Sequence, residues 1–246
     1  MSRILKTKSF QVAINEYGNS NSDRVCILMP GRLDTKDYAN FVSHGNFLAN
    51  LGFYIIAIDP PYTWESPGDL HGYTTSAYVQ AVSELIELLG NKKTLLLGHS
   101  RGGATAMLAS ANPHVEAIVL VNAAYGSPTP PDKNKLEDGY LPESRDIPPG
   151  NKRTEEQRKF MLPMAYFENG NKHDPVGALK AFKGAKLLIH ATHDEFCSPN
   201  KVKAIYDELS EPKMYFELDC THDYRLFPEV IEQVNQSLKE LLERID

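Results

Sequence analysis

The stretch Leu95-Leu96-Leu97-Gly98-His99-Ser100-Arg101-Gly102-Gly103-Ala104 decides how the rest of the chain reads. Three consecutive leucines ending at a glycine have the pattern of a strand covered on both faces. After the serine, residues 101–112 take up helical spacing. Gly98, Ser100 and Gly102 therefore fit G-x-S-x-G at a strand-to-helix junction, where the pattern has mechanical meaning. The serine is forced into a strained backbone conformation that lifts its hydroxyl clear of the chain. Gly98 and Gly102 leave room for the tight turn, and Gly103 with Ala104 lets the helix pack close to the strand. Strain of this kind costs about 1–3 kcal/mol and persists only where neighbouring structure enforces it. The bland alternative for these ten residues is a glycine-rich turn that merely starts a helix.

Outward from this junction, short apolar runs alternate with helical patterns. Strand-like runs lie at 24–29, 53–58, 94–97, 117–121, 186–191 and 213–218, and helical spacing covers 38–50, 74–90, 101–112, 199–210 and 228–245. In the last helix Val230, Ile231, Val234, Leu238, Leu241 and Leu242 share one face. Repeated strand–helix alternation predicts an α/β fold with a doubly wound, mostly parallel sheet. The first 18 residues read as an antiparallel hairpin at one edge. Residues 126–175 break the rhythm, holding eight of the sixteen prolines. Within them TEEQRKFMLPMAYFE opens on Thr154, a good helix cap followed by two glutamates. The expectation is a cap insertion of two loop arms around one or two short helices, with no strand, inside a single domain spanning 1–246.

Composition removes several function classes. The chain has 246 residues, enough for a substantial core, with Lys+Arg 26 against Asp+Glu 32 and a net charge of −6. A mildly acidic chain without a basic run is a poor phosphate-backbone ligand, so nucleic acid is disfavoured. Three cysteines (Cys26, Cys197, Cys220) make neither a disulfide scaffold nor a CxxC zinc site. The opening MSRILKTKSFQVAINEYG lacks the continuous apolar core of a secretory signal, and the longest apolar stretch, Leu51 to Ile58, is too short for a membrane span. A cytoplasmic protein without metal or organic cofactor is the expectation; composition says nothing about oligomeric state.

A serine hydroxyl is a weak nucleophile and needs a base, which needs an orienting acid. Beyond the insertion, KLLIHA runs into Thr192-His193-Asp194-Glu195, and KMYFEL runs into Asp219-Cys220-Thr221-His222-Asp223. Parallel strands bring their carboxyl ends to one edge, where open α/β sheets bind ligands. Ser100, Asp194 and His222 are thereby predicted to converge, in the order expected for this type of turn. With these residues in place the chain resembles the α/β-hydrolase superfamily over nearly its whole length, and is most similar to its small serine esterase and lysophospholipase-like branch. The resemblance implies Ser100 as nucleophile, Asp194 as acid and His222 as base. It also implies an oxyanion hole from the backbone N–H of Arg101 and one donor after the third strand. Many members have His-Gly before that donor; this chain has Met29-Pro30-Gly31-Arg32, which makes Arg32 the second donor and Leu33 the fallback.

Each assignment has a rival. Glu195 adjoins Asp194, but one turn can aim only one of them at an imidazole, and Asp194 holds the matching position. The strand before Asn122-Ala123-Ala124 ends without the carboxylate that some relatives carry there. His99 is tied into the serine turn and reads as structural. His190 and His193, three apart on a strand, point to opposite faces and make no zinc pair. His44 and His71 flank the cleft or lie on the surface, and His114 and His173 read as exposed loop residues. Arg32 and Arg101 either recognise an anionic substrate or pair with Asp34, Asp37 or Asp59, and the pairing is favoured. Tyr62, Trp64, Tyr125, Tyr166 and Phe167 line an acyl pocket or pack as core. The sequence thus points to a serine hydrolase cleaving a small-molecule carboxylic ester or thioester. A peptidase, amidase or acyltransferase on the same residues stays open, as does a non-catalytic receptor on this scaffold.

Overall fold

The computed structural model describes residues 2–245. β1 (Arg3–Lys6) and β2 (Gln11–Tyr17) form an antiparallel hairpin with Arg3 opposite Ile14. β3 (Arg24–Met29), α1 (Ala39–Asn50), β4 (Tyr54–Ile58), α2 (Thr75–Leu88), β5 (Lys93–His99), α3 (Arg101–Ala109) and β6 (Val115–Val121) follow. The insertion then contributes β7 (Tyr140–Asp146), β8 (Gln157–Pro163) and α4 (Met164–Gly170). α5 (Pro175–Ala181), β9 (Ala185–His193), α6 (Pro199–Asp207), β10 (Lys213–Thr221) and α7 (Pro228–Ile245) complete the chain.

Eight strands make one sheet in the order β1-β2-β4-β3-β5-β6-β9-β10, parallel from β4 to β10. Period-two alternation explains why both faces are covered. In β3, Val25, Ile27 and Met29 pack on the α2/α3 side, whereas Cys26 and Leu28 pack under α1 and α7. β6 repeats this with Ile118 and Leu120 on the first side and Ala117, Val119 and Val121 on the second. Helix starts follow local chemistry: Thr74 accepts from the Ala77 N–H at the head of α2, and Ser198 precedes Pro199 at the head of α6. The chain goes from β3 to β4 on one side, then returns to place β5 on the other side of β3. That reversal opens a crevice at the carboxyl ends of β3 and β5. No helix among the described residues is long and apolar enough to cross a membrane.

The insertion differs from its expected form. β7 and β8 pair antiparallel, with Tyr140 opposite Pro163 and Asp146 opposite Gln157. Phe160 and Leu162 are buried while Lys159 and Met161 face out, a strand alternation that the acidic opening of TEEQRKFMLPMAYFE disguised. Thr154 caps no helix; its hydroxyl donates to the Glu156 carbonyl inside the hairpin turn. Helix begins only with α4, after Pro163, because a proline disfavours helical geometry in the residue before it. The hairpin is fastened to the body by the Tyr38 hydroxyl, which donates to the Asp146 carbonyl at 2.9 Å, and by the Ala39 N–H, which donates to the Pro149 carbonyl at 2.8 Å.

Candidate active site

Ser100 joins β5 to α3 with φ +52° and ψ −120°, a conformation L-residues avoid unless held there. The holding is steric. A Cβ on Gly102 would lie 2.0 Å from the Met29 carbonyl oxygen, and one on Gly98 would lie 2.3 Å from the Gly102 carbonyl oxygen. A Cβ on Gly103 would meet that of Ala123 at 2.4 Å. The serine N–H donates to the Val121 carbonyl at 3.2 Å, and its own carbonyl accepts from Ala124 at 2.9 Å.

The loops after β9 and β10 bring two further side chains to the hydroxyl. His222 Nε2 lies 2.9 Å from Ser100 Oγ, and its Nδ1 lies 2.7 Å from Asp194 Oδ2. Asp194 Oδ1 accepts from the N–H groups of Phe196 and Cys197 at 2.8 and 3.0 Å. Burial alone pushes the Asp194 carboxyl up, but its bonds to His222 and these two N–H groups prevail and hold it below the ordinary carboxylate range. Glu195 has a separate position: its carboxylate accepts from the His222 backbone N–H at 3.1 Å rather than from the ring. The His222 carbonyl accepts from Asn122 Nδ2 at 2.9 Å and lies 3.2 Å from His99 Nε2. Both ends of the His222 peptide are thus tied, while Phe196, 76% exposed, sets its ring edge-on against the imidazole at 4.7 Å.

The two backbone N–H groups expected to bind an oxyanion belong to Arg101 and Arg32, on segments next to Ser100. Arg101 is the first residue of α3, so its N–H has no acceptor within the helix. The Gly31 carbonyl accepts from Asp34, which turns the Arg32 N–H of that trans peptide the opposite way. A Cβ on Gly31 would stand 3.0 Å from that of Ser100, so the loop abuts the serine directly. Arg145 donates to the Arg32 carbonyl from Nε and Nη2 at 3.1 and 2.9 Å, and the Trp64 indole donates to the Leu33 carbonyl at 2.7 Å. These bonds satisfy two successive carbonyls of the loop.

The cleft above Ser100 has a volume of about 700 Å³ and is bordered by the β7–β8 hairpin. Of the aromatic candidates Tyr125 lines it, and its buried hydroxyl finds no hydrogen-bond partner among the described residues. Tyr62 does not; it faces a smaller concavity beside Phe10 and Gly68. Trp64 supports the Leu33 loop and packs on Phe160, while Tyr166 is buried against Tyr73 and Phe167. Trp64 packs on Phe160 of β8, and Tyr166 and Phe167 are buried residues of α4 itself, so none of these three lines the cleft. The expected arginine partners also change. Lys36, fully buried, takes both Asp59 and Asp37 along with Glu65, at 3.1, 2.7 and 2.6 Å. Its ammonium thereby fills the point where those three carboxylates converge. Arg32 binds Glu143 at 2.7 Å, and Arg101 donates from Nη1 to the Gly126 carbonyl at 2.6 Å.

His44 is neither surface nor cleft: it is buried between Asn235 and Tyr224, and burial lowers its pKa to about 4. His114 and His173 are half-buried rather than exposed, His173 lying 2.9 Å from the Ser76 hydroxyl. Sequence reading missed Asn122, Glu143, Arg145 and Phe196. For Asn122 a signal existed, a polar residue just past the end of β6, but its use depends on where His222 arrives.

Comparisons place the chain among known proteins. The family model described as alpha/beta hydrolase fold matches residues 25–146. A 2-hydroxy-6-oxononadienedioate/2-hydroxy-6-oxononatrienedioate hydrolase from Pseudomonas sp. is 29% identical over 97 residues, covering 39% of this chain but only 34% of that relative. Among solved structures, ferulic-acid-bound Est1E from Butyrivibrio proteoclasticus superposes with a TM-score of 0.77 at 16% identity over 98% of both chains. Mouse alpha/beta hydrolase domain-containing protein 10 gives 0.76 at 17% identity over 100% of both. The monoacylglycerol lipase of Paleococcus ferrophilus gives 0.72 at 20% identity, covering 94% of this chain and 98% of that one.

Proposed function

The chain belongs to the α/β-hydrolase superfamily, and on that premise we propose that it is a serine hydrolase cleaving a carboxylic ester or thioester of a small molecule. The observation that carries this reading is the unbroken hydrogen-bond chain from Asp194 through His222 to Ser100, at 2.7 and 2.9 Å. As Ser100 Oγ attacks the acyl carbon, His222 Nε2 takes its proton. Asp194 keeps the Nδ1–H tautomer and stabilises the imidazolium that forms. The N–H groups of Arg101 and Arg32 receive the tetrahedral oxyanion, and one such donor is worth about 3 kcal/mol. Collapse expels the alcohol or thiol, which leaves with the proton from Nε2. Water, deprotonated by the same nitrogen, then releases the acid. The insertion 126–175 serves as a cap over the substrate. Three free thiols fit a reducing compartment such as the cytoplasm.

A fluorophosphonate probe tests the reading: it labels Ser100, and Ser100→Ala abolishes both the label and the turnover of simple aryl esters. Folded protein that stays unlabelled and inert from neutral to alkaline pH would overturn it in favour of a receptor. Turnover confined to aminoacyl amides would overturn the ester assignment alone.

A further inference from the structure

The cleft is crowded with guanidinium groups in a chain whose net charge is −6. Most are already matched. Arg32 binds Glu143, Arg145 binds both Glu143 at 2.9 Å and Asp34 at 3.4 Å, Arg153 binds Asp223 at 3.0 Å, and Arg225 binds Asp146 at 2.6 Å. Arg101 differs. Its one hydrogen bond goes to the Gly126 carbonyl, and among the described residues no carboxylate lies within ion-pair distance of it. Three guanidiniums (Arg32, Arg101, Arg145) thus share two carboxylates (Glu143, Asp34) beside the serine, and Asp34 also faces His99 at 3.6 Å. This side of the cleft carries an uncompensated positive charge.

We propose that Arg101 is the core of an anion subsite that selects substrates bearing a second, negatively charged group besides the scissile ester or thioester. The assignment rests on the hydrolase reading of Ser100 and deepens it. A guanidinium has five N–H donors, and Gly126 engages one nitrogen, leaving the remaining donors for an oxyanion. Burial lowers the Arg101 pKa, so the group is partly stripped of water before any ligand arrives. A cation held dehydrated and oriented binds an anion at less cost than a mobile surface lysine. Because Arg101 also heads α3, an anion on its side chain fixes where the acyl group lies relative to its own backbone N–H. A carboxylate on the acyl part, a carboxylate on the leaving part, and a phosphate share this chemistry.

The test compares matched pairs by pH-stat: monomethyl adipate against methyl hexanoate for the acyl side, and 4-carboxyphenyl acetate against phenyl acetate for the leaving side. A phosphate source is read by competition with inorganic phosphate. Wild type prefers the charged member of one pair by about ten- to hundredfold, the range expected for a charge-assisted hydrogen bond. Arg101→Gln collapses that ratio towards unity, and Arg101→Lys retains part of it. The ratio is diagnostic because any general damage to the oxyanion corner slows both members equally. Binding of adipate and phosphate to Ser100→Ala, measured by calorimetry with and without Arg101→Gln, gives a readout independent of turnover. A wild-type ratio near one in both pairs with no phosphate competition, or a ratio and adipate affinity unchanged by Arg101→Gln, overturns the subsite. If fluorophosphonate still labels Ser100 in that case, the hydrolase reading stands and only the subsite falls.

Discussion

Replacing Asp194 by Asn leaves the shape of the acid almost unchanged and inverts its hydrogen-bonding logic. One oxygen of Asp194 accepts from two backbone N–H groups, Phe196 and Cys197, and the other faces His222 Nδ1. Asparagine has a single oxygen, and the two N–H groups claim it. Its NH₂ must then point at Nδ1, which turns that nitrogen into an acceptor and moves the ring proton to Nε2. In that tautomer Nε2 cannot take the proton of Ser100. Flipping the amide restores the tautomer but sets an NH₂ against two N–H donors. At about 1–3 kcal/mol for each unsatisfied donor this costs about 2–6 kcal/mol, and the charge that stabilises the imidazolium is lost as well. At roughly 1.4 kcal/mol per tenfold, that penalty alone lowers kcat/KM for a simple ester by about thirtyfold to ten-thousandfold, and the lost charge moves the result towards the upper end. Glu195→Gln keeps an oxygen for the His222 N–H and costs less than about tenfold. Initial-rate measurements on both variants, with thermal melts to confirm folding, decide the matter. An Asp194→Asn enzyme retaining a tenth of wild-type turnover, or Glu195→Gln failing as badly, would refute the assignment of the acid.

Two stability predictions follow from the packing. Gly102→Ala drives a Cβ to 2.0 Å from the Met29 carbonyl oxygen, backbone against backbone, and urea unfolding should show a loss of about 3 kcal/mol or more. Gly126→Ala, with open space at its Cβ, should stay within about 0.5 kcal/mol; equal stability of the two variants would falsify the steric account of the turn. Asp146 ties Arg225, Thr154 and Gln157 together, and although burial raises its carboxyl, the Arg225 guanidinium leads the bonds that draw it below its ordinary value. A depressed folded pKa contributes stability that is complete above the unfolded value near 4 and lost as pH falls through the folded one. Asp146→Asn should therefore cost about 3 kcal/mol at neutral pH, as removing one partner of a buried pair does, and progressively less in acid. A pH-independent difference in melts of the two proteins would show that the ion pair contributes nothing.

The readability of this chain divides along a physical line. The sheet was legible because its strands are covered on both faces and so carry continuous apolar runs, as in β3, β5, β6 and β9, with helices between them of clear spacing. The insertion was not, because β7 and β8 form a half-exposed hairpin whose alternation is diluted by charge and which is fastened at Asp146 to Tyr38 and Arg225 on distant segments. The serine turn announces itself in a short local pattern, Gly98, Ser100 and Gly102, although the atom that demands glycine at 102 is the Met29 carbonyl oxygen at the end of β3. The polar ends of β9 and β10 are equally local, and from them Asp194 and His222 are named as candidates that the fold then brings together with Ser100. The partners of the charged groups are another matter. Any carboxylate within reach neutralises a guanidinium equally well, so neither composition nor spacing distinguishes Glu143 from Asp34 as the mate of Arg32, or foretells that Arg101 ends on a carbonyl. Local sterics wrote the backbone into the sequence; long-range electrostatics, being indifferent to chain distance, was settled only when the chain closed on itself.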